Sequence, residues 1–355
     1  MDNNDINDKR LIKEFKGITF SKYKKSDAKK ELLKSIVNSK IEQSCYWVGE
    51  FVCAGQFSDI WEIFLNVISK NIHLGNPKLP IYLELRFNDF KNIVNNGYVG
   101  NEIKMRNNIK VRTLFAEIVS MMCLSKKKLA FDNIKILKED FNIANISFKL
   151  KADNIQYGQR VFKNEDPKEL FIGINEFAYH ISKKSYNNQL ACYWLEWLLG
   201  FEGMCYKENK VRKIGARRQM PVEGKYQKDT IWIIWELLLD ESKKNTIINK
   251  IINSLLNLFC MRYSQGCGKK RKNLLYFSIS LITEHVDLDI KLCKNPKVLK
   301  DITKKINVIY KQIKKNEVTP EMDYLFNNSL NNGNLEKTIS KLEKMNDLMN
   351  IVTRT

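Results

Sequence analysis

CYWVGEFVCAGQFSDIWEIFLNVISKNIHLGNPKLP, residues 45–80, decides the fold class. Tyr46, Trp47, Phe51 and Val52 recur at helical spacing, and after the break at Ala54-Gly55 a second apolar run carries Ile60, Trp61, Phe64, Leu65, Val67 and Ile68. Ser58 is placed to cap this second run, with Asp59 in its first turn. Asn76-Pro77 and Pro80 are expected to end it, because proline lacks the amide hydrogen that a helix interior needs. The pattern is that of a buried helical hairpin and contains no active-site motif.

The same order of elements recurs downstream. QLACYWLEWLL (189–199) repeats the CYW tripeptide, and each copy follows an amphipathic helix ending in Ser-Lys, at 31–40 and 176–184. Each is followed by a Trp-bearing run (59–68 and 229–239), then an Arg placed before an aromatic residue (LELRF, 83–87; LFCMRY, 258–263). A basic start to an apolar helix closes each set, at 111–124 and 270–282. Five elements in one order predict an all-α chain of two tandem, duplicated multi-helix repeats. The expected divisions are a flexible arm at 1–26, repeat one at 27–125, a linker at 126–167, repeat two at 168–290 and C-terminal helices at 291–355. In the linker the alternation of FDNIKIL (131–137) and ISFKLKA (146–152) is that of a small hairpin with short strands or of an extended linker. Repeat two differs by a long insertion, 206–228, with Gly215, Pro221 and Gly224. Near the end, 297–315 carries isoleucines on one side and lysines on the other, and Leu335, Ile339, Leu342, Met345 and Met349 form a stripe suited to docking or self-association through 334–350.

At 355 residues, 44% of them hydrophobic and 11% aromatic, the chain has ample material for a folded core. Met1 to Lys16 is polar, without the apolar segment of a signal peptide, and the most apolar run, 231–239, contains Glu236 and is too short to span a bilayer. A soluble, intracellular protein with no membrane partner is expected. The eight cysteines include no CxxC pair and lie mostly on apolar helical faces, as small buried hydrophobes. The three histidines form no ligand motif, and neither a phosphate-cradling GxxxxGK[ST] loop nor a GxSxG elbow is present. No metal, no cofactor and no catalytic residue is expected, and the pattern points away from an enzyme.

The net charge of +20 points toward polyanions, although lysine, asparagine and isoleucine, all abundant here, are the residues that AT-rich codon usage enriches. Clustering is more informative than the total. Lys22, Lys24, Lys25, Lys29 and Lys30 bracket Tyr23, Arg212, Lys213, Arg217 and Arg218 share the inserted loop, and Lys269, Lys270, Arg271 and Lys272 open a helix. With Tyr226 and Tyr263 as neighbouring rings for stacking, the last two clusters are the candidate surface for a DNA or RNA backbone. The alternative is a helical protein–protein scaffold whose charge is incidental. All six tryptophans fall in apolar stripes and are expected in the core.

KSIVNSKIEQSCYWVGEFVCAGQF (34–57), with the later Asn76-Pro77, resembles the helical collar of clamp-loader-like AAA+ ATPases, without the ATPase domain. That resemblance implies helical assembly near replication machinery and no catalysis. More broadly, the CYW, GNPKLPIYLELRFNDF, PKELFIGINEFAYHIS and DYLFNNSLNN segments resemble an uncharacterised protein of giant, nucleocytoplasmic large DNA viruses. This likeness implies no known activity. It implies a viral accessory protein, in the cytoplasm of an infected cell or in a virion.

Overall fold

The computed structural model describes residues 5–131, 134–207 and 213–318, and among these it is all-α, without a strand. The first half comprises α1 (Lys25–Val37), α2 (Ile41–Cys53), α3 (Phe57–Asn66), α4 (Leu79–Asn95) and α5 (Ile109–Leu124). A one-turn helix, α6 (Gln156–Gln159), precedes α7 (Phe171–Ile181), α8 (Asn188–Lys207), α9 (Ile231–Ser242) and α10 (Thr246–Phe259). The single turn α11 (Cys267–Lys270) leads into α12 (Asn273–Thr283), and α13 (Pro296–Lys314) follows.

The hairpin at 45–80 forms, with local differences. α3 begins at Phe57, so Ser58 lies inside the helix and its hydroxyl accepts from Arg262 at 3.0 Å. Asp59 does belong to the first turn, where Lys25 and Lys29 of α1 hold it at 3.0 and 2.5 Å. Pro80 does not end the run. It lies in the first turn of α4, where a missing amide hydrogen costs nothing. α3 instead unwinds through a π-helical segment, Val67–Ile72, and a 3₁₀ turn, His73–Gly75, whose His73 has φ +47°. Gly75 is required there, since a Cβ would stand 2.2 Å from the Lys126 carbonyl oxygen.

Four helix pairs recur in both halves: α1 on α2 and α7 on α8, α2 on α5 and α8 on α12, α1 on α5 and α7 on α12, α4 on α5 and α10 on α12, whereas α3 packs on α2 and α9 packs on α7, α10 and α12. The halves meet where α4 lies against α10 and α12 against the π-helical segment. The Arg-before-aromatic motifs do not occupy matching places: 83–87 is mid-α4, whereas 258–263 straddles the end of α10.

Two expectations are overturned. The linker makes no hairpin among the described residues. Asp140 and Asn142 side chains accept backbone amides of Leu137 and Ala144, at 2.8 and 3.1 Å, and wind 138–149 into 3₁₀ turns in place of a ladder. The N-terminal arm is docked from residue 5 onward. Phe15 and Phe20 are buried, and the Arg10 guanidinium stacks 4.8 Å from both rings while binding Asp8. Asp8 also accepts the Val318 amide at 2.8 Å, so the arm clasps the chain beyond α13. α13 packs on α2 and α5 through Ile306, Tyr310 and Ile313. Gly49 of α2 permits this, because a Cβ there would meet Ile313 at 2.6 Å. The stripe at 334–350 lies outside the described residues.

Five tryptophans are buried as expected, but Trp47 is only half-buried, edge-on to Tyr23 at 5.3 Å. No disulfide joins any of the eight cysteines among the described residues. Burial pushes the Cys45 and Cys260 thiols up to about 12 and Cys123 to about 11, so these thiols stay protonated and inert.

Candidate nucleic-acid interface

The basic loop and the 269–272 cluster share one region of the second half. Segment 214–217 runs beside 227–228, with the Ile214 and Arg217 amides donating to the Lys228 and Gln227 carbonyls at 3.3 and 2.9 Å. Tyr226 packs edge-on to Tyr263 at 5.3 Å, and Tyr263 reaches α11, its hydroxyl 3.4 Å from where a Gly268 Cβ would stand. The loop, the two tyrosines and α11 are therefore contiguous.

Within that region the cations divide into two kinds. Arg217 is fully buried and spends all five N–H donors internally. Its fork grips Asp166 at 3.0 and 2.7 Å, its Nε reaches Glu236 at 2.8 Å, and the Gly215 and Val161 carbonyls take the remainder. Burial alone lowers its affinity for the proton, but Asp166 and Glu236 outweigh this and raise it. Arg271 is also buried. It donates to the Phe259 and Met261 carbonyls at 2.7 Å each, closing the C-terminal end of α10, and forms an ion pair with Glu62 of α3. Lys272 is held by Glu196 at 2.7 Å. These three residues were expected to contact phosphate. Arg217 and Arg271 are instead internal struts, because a buried guanidinium is stable only when its charge and donors are met from within.

Lys213, Arg218, Lys269 and Lys270 are exposed, as is Lys228, and none has an ion-pair partner among the described residues. Arg212 lies outside the described residues. Tyr226 and Tyr263 are half-buried, and the Tyr226 carbonyl accepts from the Trp232 indole at 2.5 Å, so their rings roof the core as well as edging the surface. The region is not uniformly basic. Burial pushes Asp229 up to about 6, helped by the neighbouring Glu202 carboxylate and opposed by Lys213.

Elsewhere, His180 contacts Ser185 through Nδ1 at 2.9 Å and Glu176 through Nε2 at 3.5 Å. The Ser185, Tyr186 and Asn187 amides are bound to the Ser182 and His180 carbonyls, so none of the three can receive an oxyanion, and the trio closes the end of α7. Among the described residues no set of three or more His, Cys, Asp or Glu converges as a metal would require. No helix of theirs is long and apolar enough to cross a membrane. Between α4 and α10 an apolar groove of about 420 Å³ is lined by Ile81, Tyr82, Leu85, Ile247 and Leu292, with Lys78 and Lys250 beside them. Sequence reading missed this groove, since its walls come from helices far apart in the chain. No protein family, curated protein or solved structure matches this chain.

Proposed function

We propose that this protein binds the phosphate backbone of nucleic acid without sequence preference, through Lys213, Arg218, Lys228, Lys269 and Lys270 around the Tyr226–Tyr263 pair. One observation carries the reading: these cations are exposed and without an ion-pair partner among the described residues, while buried Arg217 and Arg271 fix the backbone that bears them. Phosphate contacts of this kind need positive charge at a fixed surface and no base-reading geometry. Replacing Arg218, Lys269 and Lys270 with Gln is expected to weaken binding to two unrelated duplexes alike. It is also expected to flatten the dependence of log affinity on log salt by about 2.7, at about 0.9 per contact. Equal slopes for parent and variant would discard the site.

The apolar groove between α4 and α10 favours a second reading, a helical scaffold that receives a protein partner. Under that reading, Leu85→Lys removes a nuclease-resistant partner from a pull-down and leaves duplex binding unchanged. We also propose that the two halves arose by duplication, on the support of the four recurring helix pairs. A viral accessory role is the setting implied by the resemblance.

A further inference from the structure

α13 carries a charge pattern that the loop reading does not use. At 100° per residue, Lys297, Lys300, Lys304, Lys311 and, at the C-cap just past its end, Lys315 fall within about 80° of its circumference. All five are exposed, and none has an ion-pair partner among the described residues. Val308 is the one other residue on the stripe, and the nearest acid on the helix, Asp301, stands at its edge. Ile306, Tyr310 and Ile313 occupy the opposite side and are buried against α2 and α5. The Arg112 guanidinium over the Tyr310 ring at 4.3 Å and the close approach at Gly49 hold the helix in place. The result is a rigid rail of point charges about 27 Å long.

We propose that the α13 lysine rail is a second nucleic-acid surface, one that tracks the backbone of a double-stranded helix independently of the loop site. Along the helix axis each strand of a duplex places one phosphate about every 3.4 Å, so a rail laid parallel to that axis spans about eight base pairs, and long lysine stems take up the differences in spacing. Two features favour a duplex over a single strand or a bilayer, and a third makes the contact independent of sequence. The stripe has no aromatic ring on which unpaired bases could stack, which disfavours a single strand. The apolar side of α13 is already consumed by α2 and α5, so it cannot enter a bilayer as an amphipathic surface helix does. The stripe has neither amide nor guanidinium to read base edges, so contact is independent of sequence.

The test is a salt titration of the full-length protein on two unrelated duplexes, with the triple variant Lys300→Gln, Lys304→Gln and Lys311→Gln beside it. The variant is expected to melt like the parent, because the three side chains are exposed. Its salt slope should flatten by about 2.7 on both duplexes. The same proteins are assayed on the separated strands and on phosphatidylserine vesicles. An unchanged duplex slope, or a loss seen only on vesicles or single strands, would overturn the proposal. The loop variant run in parallel separates the two sites. Flattening by the α13 variant alone removes the loop reading and keeps the rail, and flattening by the loop variant alone does the reverse. A parent protein that binds no duplex at low salt removes both.

Discussion

Arg217 shows how far residue type and residue role can diverge. In the sequence it is one of four cations clustered at 212–218 of a glycine-containing loop, indistinguishable from Arg218 beside it. In the fold it is wholly buried between Asp166 and Glu236, whereas Arg218 faces solvent. Arg217→Ala strands two carboxylates and is expected to cost about 3–5 kcal/mol in chemical denaturation. Arg218→Ala should stay within about 0.5 kcal/mol. Equal effects would mean that the two side chains are equally exposed. His73 makes the comparable case for pH. Burial draws its imidazole down to about 4, with Glu284 opposing and Lys128 assisting. A histidine whose folded value lies below the ordinary 6.5 leaves stability intact above 6.5 and withdraws it as pH falls toward 4. The loss amounts to about 3 kcal/mol at most. Melting curves of wild type and His73→Phe across that window should converge at neutral pH and separate in acid. Parallel curves would show that His73 takes up its proton as readily in the fold as in the unfolded chain.

Among the elements, α13 depends most on a distant residue. Its amphipathic pattern is plain in the sequence, but the seat that receives it is a glycine on α2, far earlier in the chain. Gly49→Ala places a methyl group where Ile313 sits and is expected to cost about 1–3 kcal/mol, as overpacking does elsewhere. A second change, Ile313→Ala, should recover part of that loss by making room, and a double mutant no better than the sum would argue against the contact. The two CYW helices differ in the same way. Trp194 is buried, so Trp194→Ala should cost about 3–5 kcal/mol. Half-buried Trp47 should cost clearly less when truncated, and equal losses would contradict its partial exposure.

At the scale of the molecule, the halves are coupled by α4 against α10, by Arg271 with Glu62, and by the return of α13 to α2 and α5. Cutting the chain after residue 295 uncovers the faces of α2 and α5 that Ile306, Tyr310 and Ile313 protect. Such a chain is expected to melt in two steps, the first half before the second, where the parent melts in one. A single transition at the parent temperature would show that α13 contributes little to the first half.

The all-α class, the order of the main helices and the burial of most tryptophans and cysteines are legible in the amino-acid order alone. Those features follow from the 3.6-residue spacing of apolar side chains, which is a local property. The amino-acid order does not determine which cations meet solvent. Asp166, Glu236 and Glu62, the acids that claim Arg217 and Arg271, lie on other elements, and only packing brings them within bonding distance. The linker failed as a hairpin for a related reason: its alternation was real, but Asp140 and Asn142 offered the backbone nearer partners than a second strand. Charge is written residue by residue, whereas its availability is decided by the tertiary structure, because burying a cation forces it to find an acid.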